Sequence, residues 1–217
     1  MKLYLLRCTE FPGELCGQAA ATCTDSKNYE SALKHAVESG HTSVLEHAVF
    51  TFKIDGISRA CLAQLTRHRL ASFDVQSQRY VKLDNPELVI PDSILMMDPL
   101  NTSLAEEAIQ CMRNSMDIYK KLLDAGVPAE DARYVTPQAV PTELVMTMNA
   151  RELLHFFSLR TCNRAQWEIR KLADEMLRIC RRVAPEIFGI AGPGCVMGKC
   201  PEKKPCGKVR NIGEWSI

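Results

Sequence analysis

The sequence predicts an α+β fold, a single domain in which long helices pack with a mixed or antiparallel sheet. Three observations lead there. A chain of 217 residues, 46% hydrophobic and 24% charged, suffices for one sizeable core and lies at the upper end of what one domain holds. Several long segments repeat apolar residues at helical spacing behind capping residues. Short runs of β-branched and aromatic residues, closed by turn-forming residues, stand between them.

Tyr29, Ala32, Leu33, Ala36 and Val37 fall in helical phase behind the capping candidates Asp25 and Ser26, and Gly40 stands where a left-handed cap belongs. This is the first helix expected. Next, AVFTFKI favours an extended strand through Val49, Phe50, Thr51 and Phe52, stopped at Asp55-Gly56. A second helix is expected from about Ile57, burying Cys61, Leu62 and Leu65 and running into Arg67, His68 and Arg69. From Leu70 to about Pro91 no helical period exists. That stretch reads as a loop too polar for core, with short strands near Tyr80 to Lys82 and Leu88 to Ile90. Ser103-Leu104-Ala105-Glu106 is a capping-box pattern opening a long helix through Ala108, Met112, Tyr119 and Leu122 to near Gly126. Pro128 starts a short helix that stops before Pro137. Leu144 to Met148 reads as a strand, and Asn149 caps a helix holding Leu153, Leu154 and Phe157. After a break near Cys162-Asn163, a last long helix carries Ile169, Leu172, Ala173, Met176, Cys180 and Val183. The domain is expected over residues 1–190, and the shift to Gly, Pro, Lys and Cys marks 191–217 as a tail.

A net charge of +1, from 27 basic and 26 acidic residues, gives no global pull toward a polyanion or an acidic membrane. Any anion must be held locally. No run reaches the roughly 18 apolar residues of a membrane span, and Arg7, Glu10 and Pro12 interrupt any signal-peptide core, so a cytoplasmic protein is expected. Cys8, Cys16, Cys23, Cys61, Cys111, Cys162 and Cys180 are scattered through ordinary globular sequence, which favours reduced thiols, several of them buried as small hydrophobes.

The chemistry concentrates around Arg67-His68-Arg69. Consecutive helical residues diverge by about 100°, so a helical triplet would serve different partners, with Gln64 sharing the face of Arg67. Basic side chains at a helix C-terminus also simply favour the negative end of the dipole. The loop beyond carries Ser72, Ser77, Gln78 and Arg79 and closes with Tyr80. Hydroxyls, backbone amides and a guanidinium fork suit a phosphate monoester. No Gly-rich phosphate loop exists, so a nucleotide would be held by arginines and loop amides. The same basic groups would suit a nucleic-acid-binding module, against which the near-neutral charge and few aromatics argue.

The stretch RHRLASFDVQSQRY, Arg67 to Tyr80, resembles the hallmark motif of flavin-dependent thymidylate synthases. GHTSVLEHAVFTF at Gly40 to Phe52, Ala132-Arg133 before Pro137, and NARELLHFFSLRTCNRAQWEIR at Asn149 to Arg170 resemble further segments of that family in the same order. The resemblance covers roughly residues 29–190 and implies the family's α+β fold. It implies conversion of deoxyuridylate (dUMP) to thymidylate (dTMP), with 5,10-methylenetetrahydrofolate giving the carbon, FAD carrying the hydride and NADPH reducing the flavin. It implies no cysteine nucleophile and no metal. Arg160 would be the catalytic residue, activating the pyrimidine at N3. By the same resemblance Gln64, Arg67, Ser77, Gln78, Arg79, Arg133 and Arg160 would bind dUMP. Ser43, Glu46, Arg67, His68, Arg69, Asn149, Arg151 and His155 would meet FAD, and His41 and Tyr80 would lie on the folate and nicotinamide side. A homotetramer with sites shared between copies is implied, with no nucleic-acid or membrane partner.

Two positions depart from the family's pattern. Val75 stands where relatives carry Glu or Gln, so the backbone, Asp74 or Gln76 would take over its contact. Arg164 stands where several relatives have His, either reaching flavin phosphate or merely exposed. In the tail, Cys195, Cys200 and Cys206 raise structural zinc, but without a CxxC pair or a histidine the fourth ligand must come from elsewhere. A disordered or loosely docked reduced tail is therefore expected.

Overall fold

The computed structural model describes residues 1–97, 102–198 and 200–215. The architecture is α+β, with helices and an antiparallel sheet, as the sequence predicts. In chain order the elements are β1 (Lys2–Cys8), α1 (Pro12–Thr24), α2 (Tyr29–Glu38), a 3-10 turn (Thr42–His47), β2 (Val49–Ser58), α3 (Arg59–Leu65) and β3 (Ala71–Val75). They continue with α4 (Asp92–Leu95), α5 (Thr102–Asp124), α6 (Ala129–Ala132), β4 (Pro141–Asn149), α7 (Ala150–Arg160), α8 (Trp167–Val183), α9 (Pro185–Phe188), α10 (Gly194–Met197) and a closing 3-10 turn (Ile212–Trp215). The strands hydrogen-bond in the order β1-β2-β4-β3. The chain forms two compact units. The first comprises Met1–Lys2, Ile54–Gln64 and Asp74–Leu144, and the second Leu3–Lys53, Leu65–Phe73 and Val145–Ile217.

In the second unit, α7 and α8 present apolar stripes to a core in which Phe50, Phe156, Phe157 and Phe188 meet edge-on, with ring centroids 5.4 to 5.9 Å apart. Ile169, Leu172, Ala173, Met176, Leu177 and Cys180 on α8 are fully buried, which is the expected helical stripe. Helix α1 lies so close to α2 that a Cβ on Gly17 would sit 2.7 Å from the carbonyl oxygen of Tyr29. Helix α2 ends in a Schellman motif. His41 N donates to Ala36 O and Gly40 N to Val37 O, with Gly40 at φ +75°.

The tail is docked, contrary to expectation. Trp215 is fully buried, its indole Nε1 donates to Asp174 at 2.8 Å, and Arg210 pairs with the same carboxylate. Arg181, nearly buried, spends its guanidinium on the carbonyls of Phe188, Ala191 and Ile212. Those three acceptors satisfy a charge that burial would otherwise penalise, and burial still pulls its pKa down.

In the first unit, α5 buries Tyr119, whose hydroxyl accepts from the Leu83 amide at 3.3 Å. Strand β4 alternates buried and half-buried residues along its whole length, the period-two pattern of a half-covered sheet.

Several local expectations fail for identifiable reasons. β1 and α1 are additional elements. Asn28, not Asp25 or Ser26, caps α2 by accepting from the Ser31 amide. Asp55-Gly56 does not stop β2, because Gly56 takes φ +78° inside the strand and the pairing continues, as at a bulge. Helix α3 ends at Leu65, where the His68 amide closes a turn on Leu65 O, so Arg67, His68 and Arg69 lie beyond the helix. The polar stretch after them contains β3, whereas Tyr80 to Lys82 is a turn closed on Ser77 O and Leu88 to Ile90 is not a strand. Ser103 lies within α5, and the position preceding that helix falls outside the described residues.

Candidate active site

Asn149 positions the principal cluster of the second unit. Its side-chain oxygen accepts from the Glu152 amide and starts α7, which then carries Arg151, Glu152, His155 and Arg160. Glu152 and His68 are buried, and the imidazole packs edge-on against Phe156 at 4.9 Å and His155 at 5.9 Å. Arg160 Nε donates to His68 Nε2 at 3.0 Å, and His68 Nδ1 lies 3.2 Å from Glu152 Oε1. A guanidinium nitrogen can only donate, so His68 Nε2 must be an acceptor. The imidazole is therefore neutral, with its proton on Nδ1 donated to Glu152. Burial pushes the His68 pKa below its usual 6.5, against the hydrogen bond to Glu152, and the positive charge of Arg160 adds to the lowering. The result is a fixed line, Glu152 to His68 to Arg160, that holds one cation in one orientation.

His68, Glu152 and His155 also form, among the described residues, the one set whose potential ligand atoms lie within 4.8 Å of one another. The guanidinium bonded to the same imidazole places positive charge beside any cation there. Elsewhere in this unit, exposed Glu46 on the turn before β2 pairs with exposed Arg151. Ser43, His41, Arg67 and Arg69 are exposed. Arg164 pairs with Glu202 at 3.0 Å and is an exposed ion pair.

The first unit gathers guanidinium groups. Ser77 Oγ accepts from the Arg79 amide at 3.2 Å, and Arg79 Nε pairs with Glu130 at 2.7 Å while its Cζ lies 5.5 Å above the Tyr80 ring. Arg133 Nε donates to the Glu130 carbonyl at 3.0 Å. Burial lowers the pKa of Arg59, and the charge of Arg133 lowers it further. Two like charges that penalise each other in this way favour an anion nearby. Gln64 is half-buried on α3 and Gln78 half-buried in the turn after β3. Val75 ends β3, where the Gln76 backbone and side chain both bond Glu143. Arg59, Glu130 and Glu152 were not singled out by sequence reasoning. Arg59 opens a helix directly behind a strand, and Glu152 sits in a run whose pattern marks it only as the residue bonded by its cap.

A sequence profile described as thymidylate synthase complementing protein matches residues 4–186. A flavin-dependent thymidylate synthase of Geobacter sulfurreducens is 47% identical over 227 aligned residues, covering 98% of this chain and 96% of the relative. One of Clostridium tetani is 40% identical and covers 98% and 95%, and one of Pyrococcus furiosus is 46% identical and covers 80% and 73%. The chain belongs to the flavin-dependent thymidylate synthase family. The profile match to this family contains every candidate site residue and stops ahead of the tail cysteines. In this family member, burial pushes the Cys16 thiol up to about 11 and the Cys180 thiol well above the ordinary range, so these two buried thiols are poor nucleophiles.

Proposed function

We propose that this chain converts dUMP to dTMP by reductive methylation, with 5,10-methylenetetrahydrofolate as carbon donor, FAD as redox carrier and NADPH as its reductant. The observation that supports this most is the line from Glu152 through neutral His68 to Arg160. Bound FAD supplies the hydride that turns a methylene carbon into a methyl group. Everything else falls to the chain's own side chains. Arg160, with Nε anchored on His68, offers an oriented positive charge that favours the pyrimidine ionised at N3. Arg67 is assigned to the same nucleotide. Gln64, Ser77, Gln78, Arg79 and Arg133 are assigned to dUMP as well, with the guanidinium groups suited to its phosphate.

The donor set of the second unit fits a dinucleotide. Ser43, Arg69, Arg151 and His155 are exposed donors of the kind a pyrophosphate takes, and Glu46 holds Arg151. The Asn149 oxygen is committed to its helix, so its share in flavin binding falls to the amide NH2. His68 and Arg67 complete the flavin set, and His41 and Tyr80 are placed on the folate and nicotinamide side. A homotetramer with sites completed by different copies is part of this reading, as are a cytoplasmic location, a catalytic domain over residues 1–190 and an extension over 191–217. No helix among the described residues is long and apolar enough to cross a membrane.

The deciding experiment records the visible spectrum of the purified protein, expected to be yellow, and assays methylene-folate-dependent dTMP formation with NADPH and FAD. A colourless protein that takes up no FAD and makes no dTMP overturns the reading. Arg160→Ala should keep FAD and lose about 10²–10³ in kcat, the scale of a removed charge stabiliser. Loss of FAD from that variant would remove Arg160 from the activating role.

A further inference from the structure

Cys162, at the break between α7 and α8, lines the same small cavity, about 110 Å³, as the tail cysteines Cys195, Cys200 and Cys206. A fourth cysteine, from the fold, thus borders the cavity that the three tail cysteines line. Three contacts set this register. Arg210 Nη1 donates to Thr161 O at 2.9 Å, Asn163 Nδ2 to Lys208 O at 2.8 Å, and Arg164 pairs with Glu202 at 3.0 Å. They grip residues on both sides of Cys162 and hold them to residues on both sides of Cys206. All ten cysteines are free thiols, so no disulfide claims any of the four.

Around Cys206 the backbone has the form of a metal-binding knuckle. Gly207 takes φ +72°, which turns the chain so that the Lys208 amide donates to Cys206 Sγ at 3.4 Å. Cys206 Sγ also lies 3.4 Å from the Lys208 carbonyl oxygen, and an amide aimed at a sulfur can support a metal ligand from outside the coordination sphere. Arg164, Lys208 and Arg210 line the same cavity and supply positive charge around it.

We propose that Cys162, Cys195, Cys200 and Cys206 form a structural tetrathiolate site for one zinc ion, which fastens the tail to the α7–α8 break. Four soft thiolates disfavour magnesium and calcium, and four protein ligands leave no open position for a reacting molecule. Binding forms four Zn–S bonds and releases the four thiol protons to solvent, with no change in oxidation state. The site then carries a net charge of −2, and of the cations that line the cavity Arg164 is paired with Glu202 and Arg210 with Asp174 and Glu214. Among the described residues no three of these sulfurs lie within 4.8 Å of one another. Zn–S bonds of about 2.3 Å therefore draw Cys195, Cys200 and Cys206 toward Cys162 as the ion binds. Zinc is thus the clasp of a tail that composition alone presents as loose.

The test uses full-length protein purified in reducing, chelator-free buffer and analysed for metals by plasma mass spectrometry. About one zinc per chain is expected, and Cys162→Ser and Cys206→Ser should each fall below about half an ion. Cys111→Ser, on exposed α5, should keep its zinc. Exchange with cobalt(II) should give the intense ligand-field bands of a tetrahedral thiolate site in the red, clear of flavin absorption. That spectrum is read on the unmutated protein, so it decides the matter even where a variant fails to fold. The proposal is overturned by protein that takes up neither zinc nor cobalt, by iron in place of zinc, by disulfides among the four cysteines in freshly reduced protein, or by full zinc content in Cys162→Ser.

Discussion

His68 has one arrangement of protons compatible with its neighbours, and that makes it sensitive to acid. A proton added at Nε2 would face the Nε–H of Arg160, so the bond that orients the guanidinium would be lost. The groups facing the ring are Glu152, His155 and Arg160, and burial outweighs the carboxylate in holding the folded pKa below 6.5. The sign follows directly. Between the folded value and the unfolded value of about 6.5, the unfolded chain binds more protons, so the contribution of His68 to stability is full above that window and is lost as pH falls through it. The thermal midpoint should drop on going from about pH 7.5 to 5.5, and His68→Gln should flatten that drop. Glu152→Gln keeps an acceptor for Nδ1 but removes the negative charge, so the acid limb of the kcat profile should move to lower pH. An acid limb unmoved in Glu152→Gln would show that the carboxylate does not act through His68.

At the scale of elements, α7 is the platform on which the second unit's chemistry stands, and Asn149 starts it. Asn149→Ala should cost about 1 kcal/mol in urea unfolding. Asn149→Asp should keep the cap, since aspartate accepts the same amide bond, yet weaken FAD retention by removing the NH2 donors. Equal FAD affinity in the aspartate variant would exclude Asn149 from the flavin site. The helices with strong apolar periods, α2, α5, α7 and α8, were legible in the sequence because their buried faces repeat every three or four residues. Helix α1 was not, because PGELCGQAAATCT has little apolar contrast and packs through small residues such as Gly17. Strand β3 hid in polar sequence because its residues alternate between half-buried and exposed, so burial leaves little hydrophobic imprint. Much the same holds for the site. The RHR stretch was legible as a motif, but its turn geometry was not, and the carboxylates that partner Arg79 and the neutral His68 stand 51 and 84 residues away along the chain.

For the molecule as a whole, the docked tail is a structural member of the second unit. Trp215→Ala removes a fully buried ring and a hydrogen bond to Asp174, and should cost about 3–5 kcal/mol, read as a large fall in the thermal midpoint. A midpoint unchanged within error would mean that the tail adds nothing to stability. The charge balance of the chain has a related logic, since the near-equal numbers of acids and bases are realised locally as arginines already partnered by carboxylates. The pairing of Arg79 with Glu130 is half-exposed, and such pairs are worth only about 0–1 kcal/mol. On the proposed assignment, a phosphate arriving at Arg79 would evict a weakly held, singly charged group and replace it with a doubly charged one. Binding of this kind releases few mobile ions, so it should respond gently to salt, and carboxylates or uncharged nucleosides gain nothing from the swap. In the language of ion exchange, the Arg79 turn is a resin supplied in its weaker counter-ion form.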